Sequence, residues 1–166
     1  MDRTATIGAL IGAQSGPRIS VPEIWDVRRT IELRTAELAA ATRTDEEAAD
    51  ILALAEAVAR EVEDVETVTH SDIAFHEAVA RASHNRLFLE IVQSFDPLME
   101  LAVPSAWRTR KTEGQRRIMA DRHMAVANAI ARRDPIAATM AMSAHFDSAI
   151  GDMLRAARTK GSALAF

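Results

Sequence analysis

The sequence predicts an all-α protein, an antiparallel bundle of about six helices. Of its 166 residues, 48% are hydrophobic, whereas aromatic residues make up only 4% and tyrosine is absent. This composition favours helices over strands, which would need more β-branched and aromatic side chains. Only 6 Gly and 5 Pro interrupt the chain, and no stretch shows the alternation of a strand. A chain of this length ordinarily forms one domain.

Helix start signals divide the first half of the chain. Ser20 or the segment around Pro22 marks the start of the first helix, and Thr44 followed by Glu47 has the form of a capping box that opens the second. Thr69 or Ser71 caps the third helix. The predicted bounds are 22–41, 44–65 and a third helix that ends near 84–85. The predicted apolar stripe of the first helix consists of Ile24, Val27, Ile31, Leu38 and Ala39.

The second half contains three more predicted helices. The fourth runs from about Asn85 to Ala102 with a bend at Pro97, and residues 103–113 form a loop or short turn. Asp134 followed by Pro135 is a cap that starts the last helix. The fifth and sixth helices are predicted at 114–132 and 135–158. The predicted domain covers residues 20–160, between a flexible lead-in at 1–19 and a tail at 161–166.

The net charge, the cysteine count and the hydropathy of the chain exclude several classes of protein. The net charge is −4, so the basic face of a self-sufficient nucleic-acid binder is absent, and short basic clusters such as 108–111 are interpreted as solvated helix ends. There is no cysteine, which rules out disulfides and fits a cytoplasmic protein. No run of about 18 apolar residues predicts a transmembrane helix.

Four ionisable side chains lie on stripes that should face the core. Asp72 and His76 are one helical turn apart on the third predicted helix, His123 lies on the fifth and His145 on the sixth. A lone histidine on an apolar face is usually a satisfied core residue. Because each buried, unpaired polar group costs about 1–3 kcal/mol, four of them are satisfied most economically around one cation.

One carboxylate and three imidazoles suit a divalent first-row ion such as zinc, nickel or manganese. A tetrahedral site with these four ligands would be closed and structural. An octahedral site would leave two positions for water or a small chelating anion. The spacing of the residues does not choose between the two geometries.

The remaining polar candidates have simpler interpretations. His70 and His84 are predicted at the surface. Arg28 is a candidate ligand for a bound carboxylate, although an exposed ion pair of Arg28 or Arg29 with Asp26 or Glu32 is an alternative. Asn85 is a further candidate ligand-binding residue that could instead cap the fourth helix.

The sequence lacks the motifs of common helical enzymes. His76 and Glu77 are not followed by the second histidine of a metalloprotease helix, and no Glu-x-x-His pair supports a di-iron bundle. No glycine loop that could hold a phosphate is present.

The order of these pieces resembles a known family. Asp72-x-x-x-His76 is followed by Ser83-His84-Asn85, by His123 with Ala129-Ile130 and Asp134, and by Ala138 through His145, while Val27-Arg28-x-x-Ile31-Glu32 stands in the first helix. From about 19 to 158 the chain resembles the C-terminal ligand-binding domain, or FCD domain, of the FadR subfamily of GntR transcription regulators.

The resemblance implies an all-helical, homodimeric, metal-binding domain without enzymatic activity. It implies Asp72, His76, His123 and His145 as metal ligands, an organic-acid effector at the open positions, and Arg28 as a partner of that anion. Such a domain controls DNA binding through an attached winged helix-turn-helix, which the roughly 20 residues before the first helix do not contain. The alternatives are a metal-dependent enzyme that acts on a small carboxylate and a metal-free structural bundle.

Overall fold

The structure is a computed structural model that describes residues 21–160, and this part of the chain forms seven helices and no strand. The prediction of an all-α bundle is confirmed. The predicted lead-in at 1–19, the possible start at Ser20 and the predicted tail at 161–166 lie outside the described residues. The helices are α1 (Val21–Thr42), α2 (Asp45–Arg60), α3 (Val65–Ala82), α4 (Arg86–Ser94), α5 (Asp96–Trp107), α6 (Glu113–Ala131) and α7 (Pro135–Lys160).

Side-chain caps start several of the helices. Thr44 accepts a hydrogen bond from the backbone N–H of Glu47 at 3.1 Å, and the Glu47 carboxylate accepts one from the N–H of Thr44 at 2.8 Å, so the predicted capping box begins α2. A second capping box, formed by Thr112 and Gln115, begins α6. These bonds satisfy backbone donors that have no partner inside the helix.

The boundary between α2 and α3 differs from the prediction. The second helix ends at Arg60 rather than Val65, and Asp64 caps the third helix by accepting from the N–H groups of Glu66 and Thr67 at 2.9 and 3.2 Å. Thr69, a predicted cap, instead donates its hydroxyl to the Val65 carbonyl inside α3. Asp is a strong N-cap residue, so α3 begins directly after Asp64, upstream of the predicted cap at Thr69.

The predicted fourth helix is two helices, and the predicted loop after it is partly helical. The break falls at Phe95, with Pro97 in the first turn of α5, and α5 continues through Pro104 to Trp107. Val103 and Trp107 are buried, and Trp107 donates its indole N–H to the Val62 carbonyl at 3.1 Å. Burial of this segment against the core offsets the cost of a proline inside a helix.

The core is arranged around α1 and α7. Helix α1 packs on α7, α3 and α6, and α6 and α7 pack on each other, while α2 covers α6 and α3 and α5 packs mainly on α3. The inner face of α1 differs from its predicted stripe: Val27 is 49% exposed, whereas Arg28 and Glu32 are only 3% and 1% exposed. A basic and an acidic side chain therefore occupy core positions.

The large apolar side chains that remain exposed are Val27, Leu87, Leu101, Ile118, Ile136, Met140 and Leu154. Single exposed apolar residues of this kind are common on protein surfaces. None of the helices within residues 21–160 combines the length and the hydropathy that crossing a bilayer requires.

Candidate metal centre

The structure brings the three predicted histidine ligands together inside the bundle, and the predicted carboxylate ligand, Asp72, contacts one of them, His123. Asp72 and His76 lie on α3, His123 on α6 and His145 on α7, and all four are at least nine-tenths buried. The ring centroid of His145 is 4.4 Å from that of His123 and 5.0 Å from that of His76. One nitrogen from each imidazole lies within 4.8 Å of the others.

Hydrogen bonds outside the cluster determine which ring nitrogens face inward. Nδ1 of His123 is 2.9 Å from the Met119 carbonyl oxygen, and Nδ1 of His76 contacts the Glu32 carboxylate. Both partners can only accept, so each Nδ1 carries a proton and donates. In a neutral ring, Nε2 then has a free lone pair.

His123 and Asp72 consequently present two acceptors to each other. Nε2 of His123 is 3.0 Å from Oδ1 of Asp72. Burial favours protonation of Asp72, but the contact with His123 and the neighbouring His76 and His145 outweigh burial and hold the pKa of Asp72 below its usual range. The carboxylate is therefore ionised at neutral pH. Either a proton or a cation must lie between the two groups.

His145 completes the cluster, and one of its ring nitrogens has no hydrogen-bond partner. Its Nδ1 is buried and has no hydrogen-bond partner. Burial, together with the neighbouring His123 and His76, lowers the pKa of His145 well below its usual value. His145 is thus a neutral imidazole in a place where a polar group without a partner is costly.

Glu32 joins the cluster to Arg28, whereas the sequence offered it only as the acid of an exposed ion pair on α1. Oε1 of Glu32 accepts from Nε of Arg28 at 2.6 Å, and its second oxygen accepts from His76. Burial alone would raise the pKa of Glu32, but Arg28 and His76 outweigh burial and lower it. The signal in the sequence was the i, i+4 spacing of Arg28 and Glu32 on the face that also carries Ile24.

A small cavity lies beside the cluster. Its volume is about 20 Å³, and Asp72, His76 and His145 form part of its wall together with Arg28 and Arg110. Trp25, Trp107 and Phe146 supply aromatic wall. A volume of about 20 Å³ holds a water molecule or an ion, but it is too small for an organic acid.

Arg110 differs from the prediction that residues 108–111 form a solvated helix end. Arg110 is only 4% exposed, and its guanidinium lies over the Trp107 ring, 5.1 Å from the centroid. Nε of Arg110 is 2.9 Å from Oδ2 of Asp152 on α7. The sequence carries no signal for its burial, because the position of Arg110 depends on how α5 packs.

Other predicted residues lie elsewhere. Asn85 is exposed and caps α4 by accepting from the N–H groups of Leu87 and Phe88 at 3.1 and 3.4 Å, so the structure does not bring it to the cavity. Arg29 contacts α7, with its guanidinium 2.6 Å from the Ser143 hydroxyl and 3.3 Å from the Asp147 carboxylate. His70 and His84 are exposed, as predicted.

The donor set fits a divalent first-row ion. Zinc, nickel and manganese accept imidazole nitrogens and an ionised carboxylate as ligands, and this cluster supplies three of the former and one of the latter. Two of the imidazoles are held by hydrogen bonds on their outer nitrogens, which is the arrangement that orients metal-binding histidines in proteins.

Buried imidazoles and arginines around an internal cavity place the chain in the class of all-α bundles with a polar interior. Within this class the chain belongs to the FCD domain family, whose family model matches residues 23–148. FCD domains are the effector-binding regulatory domains of GntR-family transcription regulators and are not enzymes. The resemblance found in the sequence is therefore confirmed at the level of the FCD domain.

Two solved structures share the fold. Escherichia coli McbR/YncC matches with a TM-score of 0.70 and 14% identity, over 84% of this chain and 68% of that protein. Streptococcus agalactiae GntR matches with a TM-score of 0.57 and 22% identity, over 83% of this chain and 71% of that protein. At these identities the likeness shows the fold alone. No curated protein matches the sequence significantly.

Proposed function

We propose that this FCD domain senses a small organic acid through a divalent metal ion held by Asp72, His76, His123 and His145. The observation that carries the proposal is the contact between Nε2 of His123 and Oδ1 of Asp72, 3.0 Å apart. With Nδ1 of His123 donating to Met119, both facing atoms are acceptors, and a shared cation removes the repulsion.

The arrangement of the other donors supports the same site. His76 directs its Nδ1 at Glu32, and the Nδ1 of His145 lacks a partner. A single ion would satisfy several buried groups that otherwise cost free energy, and this is why metal binding and stability should be linked in this protein. The proposal leaves the native ion open among zinc, nickel and manganese.

The metal would supply positive charge and open coordination positions for the effector. Arg28 is buried, lines the cavity and is held in place by Glu32. A guanidinium in this position would pair with an effector carboxylate. Asn85 was proposed as a second ligand-binding residue, but its role as the cap of α4 does not support that assignment.

Helix α1 would carry the signal. Arg28 and Glu32 belong to α1, which packs on α3, α6 and α7, the three helices that hold the proposed metal ligands. An effector that contacts Arg28 therefore changes how α1 sits on the other three. We propose that the domain belongs to the FadR subfamily, forms homodimers in the cytoplasm, and controls DNA binding through a winged-helix domain by shifting the population of dimer geometries.

Metal analysis tests the proposal. The purified chain is saturated with Zn²⁺, Ni²⁺ or Mn²⁺ in turn, freed of excess ion and assayed for bound metal by elemental analysis. We expect about one ion per chain in the wild type, a loss in His123→Ala and His145→Ala, and no loss in His70→Ala, which replaces an exposed histidine of α3. A wild-type protein that retains none of these ions would refute the metal site.

A further inference from the structure

We propose that Arg110 forms a second anion subsite and that the effector is a short dicarboxylate, bound at one end by the metal and Arg28 and at the other by Arg110. This inference rests on the proposed function and specifies the chemistry of the ligand. The juxtaposition that carries it is two buried guanidinium groups, from α1 and from the segment after α5, in the wall of one cavity next to the histidine cluster.

Arg110 is a buried guanidinium with one nitrogen, Nε, that lacks a well-aligned hydrogen bond. Its side chain is 97% buried, and Oδ2 of Asp152 is 2.9 Å away from this nitrogen. Asp152 is shared, because it also contacts Arg155 at the surface. A guanidinium has five N–H donors in a planar fork, so one carboxylate can remain at Nε while another binds the terminal nitrogens.

The charge balance of the site calls for two negative charges. Among the buried charged side chains at the cavity and their buried partners, Arg28 and Arg110 are matched by Glu32 and Asp72. Asp152, at the edge of the cavity, is shared between Arg110 and the exposed Arg155. The apo site is therefore close to neutral, and a bound divalent ion leaves an excess of two positive charges. One carboxylate compensates half of this excess, and a dicarboxylate compensates all of it.

The walls of the cavity fit the rest of such a ligand. One guanidinium group comes from α1 and the other from the segment after α5, and apolar side chains, including Val103, Trp107 and Met119, lie in the same cavity wall. Carboxylates at the two ends and a short hydrocarbon link between them match this pattern. Because the cavity holds only about 20 Å³, the ligand must displace one wall. Helix α5 contributes Val103 and Trp107 and lies just before Arg110, so it is the wall that we expect to move.

Calorimetric titration of the Zn²⁺-loaded chain tests the subsite. The probes are acetate and propionate as monocarboxylates, and malonate and succinate as dicarboxylates. We expect at least one dicarboxylate to bind about tenfold more tightly than either monocarboxylate, the increment of one charge-assisted hydrogen-bonded pair. Arg110→Gln should abolish this advantage, while the variant still binds Zn²⁺ and both monocarboxylates. Arg110→Lys, which keeps the charge in the core, should retain part of it.

Arg117→Gln is the matched control, because Arg117 is an exposed arginine of α6 paired with Glu113. It should leave every affinity unchanged. Equal affinities for mono- and dicarboxylates in the wild type, or a dicarboxylate advantage that survives in Arg110→Gln, would overturn the subsite while leaving the metal site intact. Failure of the wild type to bind Zn²⁺ would overturn the proposed function, and the subsite with it.

Discussion

Glu32 is the residue on which the polar interior most depends. It is 1% exposed, and its two carboxylate oxygens have separate partners, the Arg28 guanidinium and the Nδ1–H of His76. A buried charge is tolerated when it is paired and fully hydrogen-bonded. Glu32 thus fixes the tautomer and the ring orientation of a proposed metal ligand and also holds the arginine proposed to bind the effector.

Replacement of Glu32 should therefore weaken metal binding without removing a ligand. In Glu32→Gln the amide oxygen accepts more weakly from His76, and loss of a residue that orients a metal ligand typically lowers metal affinity about 10- to 100-fold. Competition against a chromophoric chelator measures the affinity. Glu37→Gln is the control, because Glu37 forms an exposed pair with Arg34 on the same helix. An affinity equal to wild type in Glu32→Gln would show that Glu32 does not position His76.

Asp96 at the start of α5 should make stability depend on pH. Burial, a hydrogen bond with Glu77 and the charge of Glu77 raise the pKa of Asp96 to about 7. Between the pKa of the unfolded chain, about 4, and this value, the folded state holds a proton that the unfolded state has released, so this contribution to stability declines as pH rises through that window. It is absent above about pH 8.

Asp96→Asn should remove this pH dependence, because an amide does not titrate. We expect the unfolding free energy of the variant relative to wild type to increase between pH 5 and pH 8, as measured by urea denaturation at each pH. Asp50→Asn, which changes an exposed carboxylate of α2, should give a difference that stays constant with pH. A constant difference in Asp96→Asn as well would contradict the raised pKa.

At the scale of helices, the sequence predicts elements whose ends carry strong local signals. The helix starts at the Thr44–Glu47 capping box and at Asp134-Pro135 are predicted correctly, because the hydrogen bonds of both caps join residues that are close in the sequence. The C-terminal part of α5 is predicted as a loop because proline disfavours the interior of a helix. Pro104 is nevertheless helical, since the burial of Val103 and Trp107 offsets that cost.

The same division holds for the candidate site. Asp72, His76, His123 and His145 lie on helix faces that point into the core, so their spacing in the sequence is enough to predict that they are buried. Glu32 and Arg110 are charged residues that look like surface residues in the sequence, and their burial depends on neighbours distant in the chain. Whether such a charge has a buried partner depends on the tertiary structure, and the periodicity of the sequence does not predict it.

The junction between α6 and α7 contains a non-glycine residue with a strained backbone conformation. Arg133 has φ of 55°, in the left-handed region, at the residue that follows the cap of α6. For a residue other than glycine this conformation costs about 1 kcal/mol. Its contact with Asp45, 3.8 Å away and exposed, adds little.

Arg133→Gly should raise the unfolding free energy by about 0.5–1 kcal/mol, because glycine adopts positive φ without a steric penalty. Urea denaturation of the apo protein measures the change. In the adjacent control Arg132→Gly, φ is −80°, so the same substitution removes no strain and should destabilise the protein instead. A loss of stability in Arg133→Gly would contradict the proposed strain at this position.

At the scale of the whole molecule, the site and the core are the same structure. The proposed ligands come from α3, α6 and α7, and Glu32 on α1 holds one of them, so four helices meet at the cluster. An ion bound there would link helices that are far apart in the sequence. Its binding free energy would therefore stabilise the entire bundle rather than one segment, since a preformed set of ligands exists only in the folded chain.

Metal removal should consequently lower the melting temperature in a single cooperative transition. With free metal at about 100 times its dissociation constant, the stabilisation is about 2.7 kcal/mol, which for a chain of this size corresponds to a shift of about 5–10 °C. Calorimetry of the wild type with Zn²⁺ and with a chelator measures this shift. His123→Asn should melt at one temperature under both conditions, while His84→Asn, which changes an exposed histidine, should keep the wild-type difference. If the chelator leaves the wild-type melting temperature unchanged, the cluster is a metal-free set of core histidines, and a proton shared by His123 and Asp72 would account for their contact.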